Sequence, residues 1–502
     1  MTALTEFNNL VLGSDGIWRV TDTTEDIGYS DGAEVEAYLK KCFSECVDLS
    51  STSTELEQRI IDWPTEYHLS PMRVNLLRAF DMTSMNKVLE LGAGCGTITR
   101  FLCESGLDVD AIEGSASRAS LAQQRCRGLE NVSVINNNFN DLRLPENHYD
   151  GIFSVGVMEY AKYFASGEGS HRDTVKAILN NLFVSLNQTG CIVIAIENRL
   201  GLKYLFGAGE DHYGKAYTGI YDYRTDDSIR TYSKNEWLAI FSELEISSHS
   251  FLYPFPDYKV PSVILRDEYL RNNPHAATHF ARVASRDYSN LLAHNHPEQI
   301  FWEGLQQENL VDSLSNSFLI VLARSDEAIN NLVANDFVHC SGLARKPAYR
   351  TVSYKPVGEK IVYKNKIHPE ITSPDEDVRL LHRPKEEPFV VGETLADQWC
   401  KEILGGRSVK DFQKSLWSYY NYLLRCRDDY KESGELIDLL AFNIIVLPDS
   451  SYQAIDHEWR WVDGEVEPEF VLFRALLYFA INEQNALRNV FAQDEIHTIR
   501  QF

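Results

Sequence analysis

Short apolar runs alternate along this chain with stretches of helical period. Val88–Leu91, Val109–Glu113, Val132–Ile135, Tyr149–Ser154 and Gly190–Glu197 are each apolar and bounded by turn residues, which predicts buried strands. Between them, Ala116 to Arg127 and Asp173 to Leu186 repeat apolar positions every three or four residues, which predicts helices. Alternating strands and helices predict an α/β fold, a Rossmann-like doubly wound sheet with its ligand at the carboxyl ends of the strands. A further strand ends near Leu252 and the last is Ser317–Ala323. The long interval between them predicts a functional insertion, 254–316. Ahead of the first strand, Met72 to Phe80 reads as a helix.

The pattern divides the chain into three parts. Residues 1–60 are acidic and mixed, with a helix from Ala33 to Cys46 and a Ser/Thr-rich connector from Ser50 to Thr54, and read as a cap. Residues 61–325 hold the alternating elements. Residues 326–502 read as an α+β domain, with strands within Arg350–Ile367 and helices within Leu395–Cys426.

Candidate chemistry sharpens the first reading. The strand Val88–Leu91 carries an acid, Glu90, and runs into Gly92-x-Gly94-x-Gly96. Glycines suit a turn whose backbone must approach a ligand. A dinucleotide fingerprint would need Gly-x-Gly-x-x-Gly instead. The second strand ends in Glu113, where a carboxylate can accept both hydroxyl protons of a ribose. The third ends at Asn137-Asn138-Phe139, suited to the edge and face of an adenine. Taken together over roughly residues 60–325, these motifs resemble the class I S-adenosylmethionine-dependent methyltransferases. An NAD-type Rossmann domain, or a sheet with an incidental glycine turn, is the alternative. The resemblance implies S-adenosyl-L-methionine as cofactor, with Glu90, Gly92, Gly94, Gly96, Glu113, Asn138, Phe139 and Ser154 as its binding residues. It also sets Glu159, in the loop after the fourth strand, beside the methyl donor, and Tyr67 and His68 in a segment that closes over the cofactor or staples the next helix.

Beyond the fifth strand come Glu197-Asn198-Arg199-Leu200-Gly201-Leu202-Lys203-Tyr204, Glu210-Asp211-His212, and later Pro254-Phe255-Pro256-Asp257-Tyr258-Lys259-Val260-Pro261. These phrases look like a bacterial methyltransferase group associated with cell-surface polysaccharide, including O-antigen, assembly. That resemblance implies a glycan or phosphorylated glycan acceptor and glycosyltransferase partners. A sugar hydroxyl gains from a general base with a pKa near ~7. His212, flanked by Asp211, is the candidate, with Glu159 as an orienting acid. A phosphate acceptor would need no base, and would lean on Arg199, Lys203, Tyr258 and Lys259. A small metabolite, a protein substrate, or a cofactor-binding scaffold in a polysaccharide assembly complex are the other readings. No metal site is expected.

In the C-terminal part, Asp438-x-x-x-x-Asn443, an apolar strand and Asp456 are similar to the catalytic loop and metal-binding acid of kinase-like phosphotransferases. Those residues would hold magnesium-ATP only if the domain is active, with Lys364 the counterpart of the phosphate-binding lysine. The departures are a missing histidine before Asp438, no glycine-rich phosphate loop, and His457-Glu458 after Asp456.

Charge and cysteine content narrow the partners. A net charge of −25 argues against DNA or RNA, because phosphate binding needs clustered Lys and Arg. The densest basic run, Arg379 to Lys385, is followed at once by Glu386 and Glu387. Nine scattered cysteines without a paired framework read as reduced thiols, Cys95 among them serving packing. Met1 to Gly13 lacks the pattern of a signal peptide, and no apolar run approaches the ~18–20 residues of a membrane span. The expected location is the cytoplasm, at the inner face of the membrane where partners hold it there.

Overall fold

The computed structural model describes residues 3–20, 30–165, 169–280, 283–291, 298–371, 379–406, 409–431, 434–483 and 487. The chain forms two compact units. The first comprises Met1–Asp267, Ser285–Leu292 and Asp312–Asn335, and the second Glu268–Ala284, Ala293–Val311 and Asp336–Phe502.

In the first unit the described strands are β1 (Leu10–Leu12), β2 (Trp18–Val20), β3 (Lys87–Leu91), β4 (Asp108–Glu113), β5 (Val132–Asn136), β6 (Tyr149–Val155), β7 (Leu186–Glu197), β8 (Ser248–Phe255), β9 (Val263–Arg266) and β10 (Ser317–Ala323). They lie in the order β1-β2-β5-β4-β3-β6-β7-β10-β8-β9. β5, β4, β3, β6 and β7 are parallel, and β10 enters antiparallel between β7 and β8. The order reverses at β3, so the crevice for a ligand opens at the carboxyl end of that strand. The sheet is the Rossmann-like doubly wound α/β sheet expected. β3 to β6 are covered on both faces, which is why Leu89, Ala111, Val134 and Ile152 are all buried within near-continuous apolar runs.

The N-terminal segment, read from the sequence as a cap, groups with the first unit. The helix Ala33–Glu45 buries Leu39, Cys42 and Phe43 in one cluster with Cys95 and with Leu121 of the helix Ala116–Arg125. The segment before β3 is a 3₁₀ helix, Pro71–Ala79, not an α-helix. Val74, Asn75, Leu76 and Leu77 are all buried, so it presents no solvent face. Finally, 254–316 is not one substrate-side block and the first unit does not end at 325. β9 pairs back on β8 with Phe255 opposite Val263, while Glu268–Ala284 and Ala293–Val311 go to the second unit. The helix Asp326–Leu332 stays with the first unit, burying Ala328, Ile329 and Leu332.

The second unit contains β11 (Asn335–Cys340), β12 (Thr351–Pro356), β13 (Ile361–Lys366), β14 (Leu380–His382), β15 (Glu387–Pro388), β16 (Glu393–Thr394), β17 (Ile444–Val446), β18 (Tyr452–Ala454) and β19 (Trp459–Trp461). β12, β13 and β15 are antiparallel, as are β16-β17-β18 and the pair β14-β19. The helices Leu395–Leu404, Val409–Asp429 and Pro468–Asn482 enclose a core of Trp399, Tyr419, Leu423, Leu439, Ile444, Val471 and Phe479. An α+β unit is therefore present, as expected. Among the described residues no helix is long and apolar enough to cross a membrane. All nine cysteines are buried, and burial pushes the Cys95 thiol well up, out of reach of reactivity.

Candidate active site

The site grows from the turn between β3 and the helix Thr97–Glu104. Gly92, Gly94 and Gly96 all have positive φ, at 70°, 55° and 83°, but for different reasons. A Cβ on Gly96 would lie 2.8 Å from Ala122 Cα, so this glycine lets the turn pack on the helix Ala116–Arg125. A Cβ on Gly94 would meet no atom within 4 Å. Gly94 instead borders a cavity of about 290 Å³, which runs along the carboxyl ends of the strands.

One end of the cavity is shaped for a polar, planar ligand. The Glu113 carboxylate accepts Gly94 N–H at 2.7 Å and Ser115 N–H at 2.8 Å, one on each oxygen, leaving further lone pairs free. Burial raises its pKa. Gly92, Asn138 and Phe139 line the same space. Glu90 also lines it, accepts the Thr99 hydroxyl at 2.6 Å, and is pushed up to about 7 by burial. Tyr67 and His68 both border the cavity. His68 is buried, with Nε2 2.7 Å from Asp31. Arg73 reaches the Tyr67 hydroxyl at 2.6 Å and the Lys259 carbonyl at 2.9 Å.

The other end is acidic. Glu159, Glu197, Asp211, His212, Tyr258 and Lys259 line it. Asp211 accepts Lys203 Nζ at 3.0 Å and Lys259 Nζ at 2.5 Å. Lys259 also binds Glu197, and the Tyr258 hydroxyl lies 3.3 Å from the same Glu197 oxygen. Burial works against the charge of Asp211, but the two ammonium groups outweigh it and hold the carboxyl well below the usual range. His212 Nδ1 lies 2.9 Å from Glu210 Oε1, and Nε2 lies 3.7 Å from Glu159 Oε1. Burial alone would favour a neutral ring. The Glu210, Glu197 and Glu159 carboxylates outweigh it and hold the His212 pKa well above its ordinary value. Glu159 moves up in turn, chiefly through burial. The free His212 ring therefore does not sit near the ~7 of the base expected from the sequence.

The sequence-predicted residues fall into two sets. Glu90, Gly92, Gly94, Glu113, Asn138, Phe139, Glu159, Asp211, His212, Tyr258 and Lys259 share the cavity. Gly96, Ser154, Arg199 and Lys203 are not in its lining. Ser154 is buried on β6 with its hydroxyl unpartnered. Arg199 is turned away onto Glu236 at 2.6 Å, and Lys203 supports Asp211 from behind. Sequence reasoning passed over Glu197, although it ends β7 as Glu113 ends β4. An acid at the carboxyl end of a parallel strand was the signal. Glu210 and Arg73 carried none.

Within the second unit, Asp438, Asn443 and Asp456 are engaged with protein groups. Asp438 Oδ2 accepts the N–H of Glu458 at 2.7 Å and of Trp459 at 3.0 Å. Asn443 Nδ2 donates to the Asp438 carbonyl at 3.0 Å. Asp456 is ion-paired to Lys364, which also lies 3.5 Å from Glu458.

Residues 88–166, which span the glycine turn, Glu113, Phe139 and Glu159, match the family model described as a methyltransferase domain. This stretch is a methyltransferase domain. S-adenosyl-L-methionine is the cofactor of such a domain, and the cavity fits it. The would-be Cβ of Gly94 opens on empty space, and two main-chain N–H groups fix the Glu113 carboxylate. Solved structures similar to the chain include a Haemonchus contortus phosphoethanolamine N-methyltransferase 2 bound to phosphomonomethylethanolamine and S-adenosylhomocysteine. It is 14% identical, covering 47% of this chain and 48% of its own, with a TM-score of 0.29. S-adenosylmethionine-dependent methyltransferases of Aquifex aeolicus (19% identical, 35% and 82% covered, TM-score 0.24) and Archaeoglobus fulgidus (13%, 51% and 96%, 0.29) are also similar. The chain spans about half the length (48%) of the nematode enzyme, and the substrates of these proteins are their own. No curated protein matches the chain.

Proposed function

We propose that this chain methylates an oxygen of an uncharged, polyhydroxylated acceptor, a sugar of a cell-surface glycan or its precursor. The observation that carries the reading is one cavity joining the Gly94–Glu113 end to the Glu159–Glu197–His212 end, where a carboxylate oxygen on each acid is buried and unpartnered. Buried polar atoms without partners are rare in folded proteins, and two on residues that line one cavity support a hydroxylated ligand.

When bound, S-adenosylmethionine supplies a sulfonium methyl group open to in-line attack. The chain's residues do the rest. Glu113 takes the ribose hydroxyls and the Gly92–Gly94 backbone approaches the ligand closely. Glu159, with Oε2 free, is placed to take the proton of an acceptor hydroxyl, and Glu197 to accept a neighbouring one. Tyr67, Tyr160 and Tyr258 offer apolar faces for a sugar.

Ion pairing favours the uncharged acceptor over a phosphorylated one. Arg199 is committed to Glu236, Lys203 to Asp211, and Lys259 to Asp211 and Glu197. A phosphate dianion would have to strip a carboxylate from one of these cations inside an already acidic pocket. The glycan assignment also rests on the resemblance of the Glu-Asn-Arg and Glu-Asp-His phrases. The test follows methyl transfer from labelled donor to glycan-precursor extracts. Turnover that falls by ~10²-fold in Glu159→Gln, with S-adenosylhomocysteine binding intact, is expected. Turnover only with phosphorylated or amine acceptors would overturn the reading.

A further inference from the structure

Glu159, Glu197 and His212 come from three separate segments, yet one ligand atom from each lies within 4.8 Å of the other two. Among the described residues this is the one group of three with that geometry. His212 is oriented as a metal ligand would be. Glu210 holds Nδ1 with one oxygen, while its other oxygen accepts the N–H of His212 at 2.9 Å and of Tyr213 at 3.0 Å. A carboxylate on the far nitrogen is the usual partner that fixes the tautomer of a ligating imidazole. Nε2 then faces Glu159 Oε1 at 3.7 Å, beyond hydrogen-bond reach and compatible with two ligands of one small cation.

The carboxylates are prepared in the same way. Glu197 commits Oε1 to Lys259 and Tyr258, and leaves Oε2 buried and unpartnered. Glu159 can offer Oε1, 3.7 Å from His212 Nε2, and keeps Oε2, buried and unpartnered, for the acceptor proton. Their side chains are 1% and 2% exposed, and both line the cavity. Five buried carboxylates (Glu159, Glu197, Glu210, Asp211 and Asp257) gather here around Arg73, Lys203, Lys259 and the His212 ring. Set against the three permanent cations they leave two negative charges, which a divalent cation bound through a neutral imidazole would balance.

We infer that Glu159, Glu197 and His212 form a binding site for a divalent cation of the magnesium or manganese class. Two carboxylate oxygens outnumber one imidazole, a borderline donor, and no thiolate is present; such an oxygen-dominated set suits manganese(II) and ions of its class. The coordination positions facing the cavity stay open. In its acceptor half the inference rests on the methyl-transfer reading: adjacent oxygens of a diol would fill those positions and hold the nucleophile toward the Gly94–Glu113 end. The ion site itself does not rest on that reading.

The experiment titrates the full chain with Mn²⁺, following the free ion by electron paramagnetic resonance, and in parallel measures S-adenosylhomocysteine binding by calorimetry. One saturable Mn²⁺ per chain is expected. Glu197→Gln and His212→Gln should each weaken it by at least about tenfold, with S-adenosylhomocysteine affinity within about twofold of wild type as proof of an intact fold. Should one variant unfold, the other carries the same comparison. A wild-type chain that binds S-adenosylhomocysteine but no Mn²⁺ at millimolar concentration, or Mn²⁺ affinity unchanged in the folded variants, overturns the ion site. Mn²⁺ binding without S-adenosylhomocysteine binding overturns the methyl-transfer reading and leaves the ion site standing.

Discussion

Two glycines a turn apart obey different constraints, and substitution should separate them. The Cβ of Gly94→Leu would meet no protein atom within 4 Å, so its cost is the backbone strain of a side chain at φ of 55°, about 1–2 kcal/mol. Its melting temperature should fall only by the equivalent of that strain, while S-adenosylhomocysteine affinity falls at least about tenfold by calorimetry. Gly96→Ala should do the reverse. Its Cβ would press on Ala122 Cα, at a cost of roughly 1–3 kcal/mol seen in thermal melts. Glu113→Ala removes the acceptor held by Gly94 and Ser115, and should weaken S-adenosylhomocysteine binding by roughly 1–3 kcal/mol, up to about a hundredfold. Glu90 sets a pH dependence. Its folded pKa, about 7, is raised above the value of an unfolded glutamate near ~4.3. The folded protein keeps this proton after the unfolded chain has lost it. The corresponding stability is full below pH ~4 and is lost as pH rises through about 7. Glu90→Gln, which can still accept the Thr99 hydroxyl, should remove that pH dependence, on the order of 3–4 kcal/mol across the window. An unchanged slope in the variant would show that Glu90 ionises normally.

At the scale of elements, the helix Ala116–Arg125 holds the floor of the site through its last residue. Arg125 is fully buried, donates to the His68 carbonyl and to Thr97 Oγ1, and lies over the ring of Phe43. It thus ties this helix to the segment before β3 and to the helix after the glycine turn. Burial lowers its pKa to about 10, without releasing the proton at neutral pH. Arg125→Ala should cost roughly 2–5 kcal/mol, because it leaves a cavity and removes one of the two donors to the buried His68 carbonyl, the Thr97 hydroxyl at 2.8 Å being the other. Both bonds come from Nη1, with Nε and Nη2 unpartnered, so Arg125→Lys should recover part of the loss, limited by the shorter reach of its ammonium and the volume it leaves unfilled. Urea unfolding of the three proteins checks the order. Full rescue by lysine would mean that charge alone matters there.

Taken whole, the molecule contains two units with separate polar centres, and a ligand titration can address each. Asp438, Asn443, Asp456 and Lys364 already satisfy one another or neighbouring backbone. Magnesium-ATP at millimolar concentration should therefore leave the melting temperature unchanged, whereas S-adenosylhomocysteine should raise it, because only a ligand that binds the folded state stabilises. A magnesium-dependent shift with ATP, lost in Asp456→Ala, would make the second unit a nucleotide site.

The sequence by itself determined the sheet. β3, β4, β6 and β7 announce themselves because strands buried on both faces must be apolar throughout, and a turn against a ligand must be glycine. It also determined the ends of the cofactor cradle, since Gly94 and Glu113 lie at strand ends that the fold brings together. Only the tertiary structure decided what each polar group touches. Arg199, Lys203 and Lys259 look equally available along the chain, and the fold spends all three on carboxylates. His212 looks like a base until Glu210, Glu197 and Glu159 close around it. The boundaries between units were hidden for the same reason. Membership of a unit depends on which segments pack together, and Glu268–Ala284 and Ala293–Val311 group with a unit whose other residues lie far along the chain.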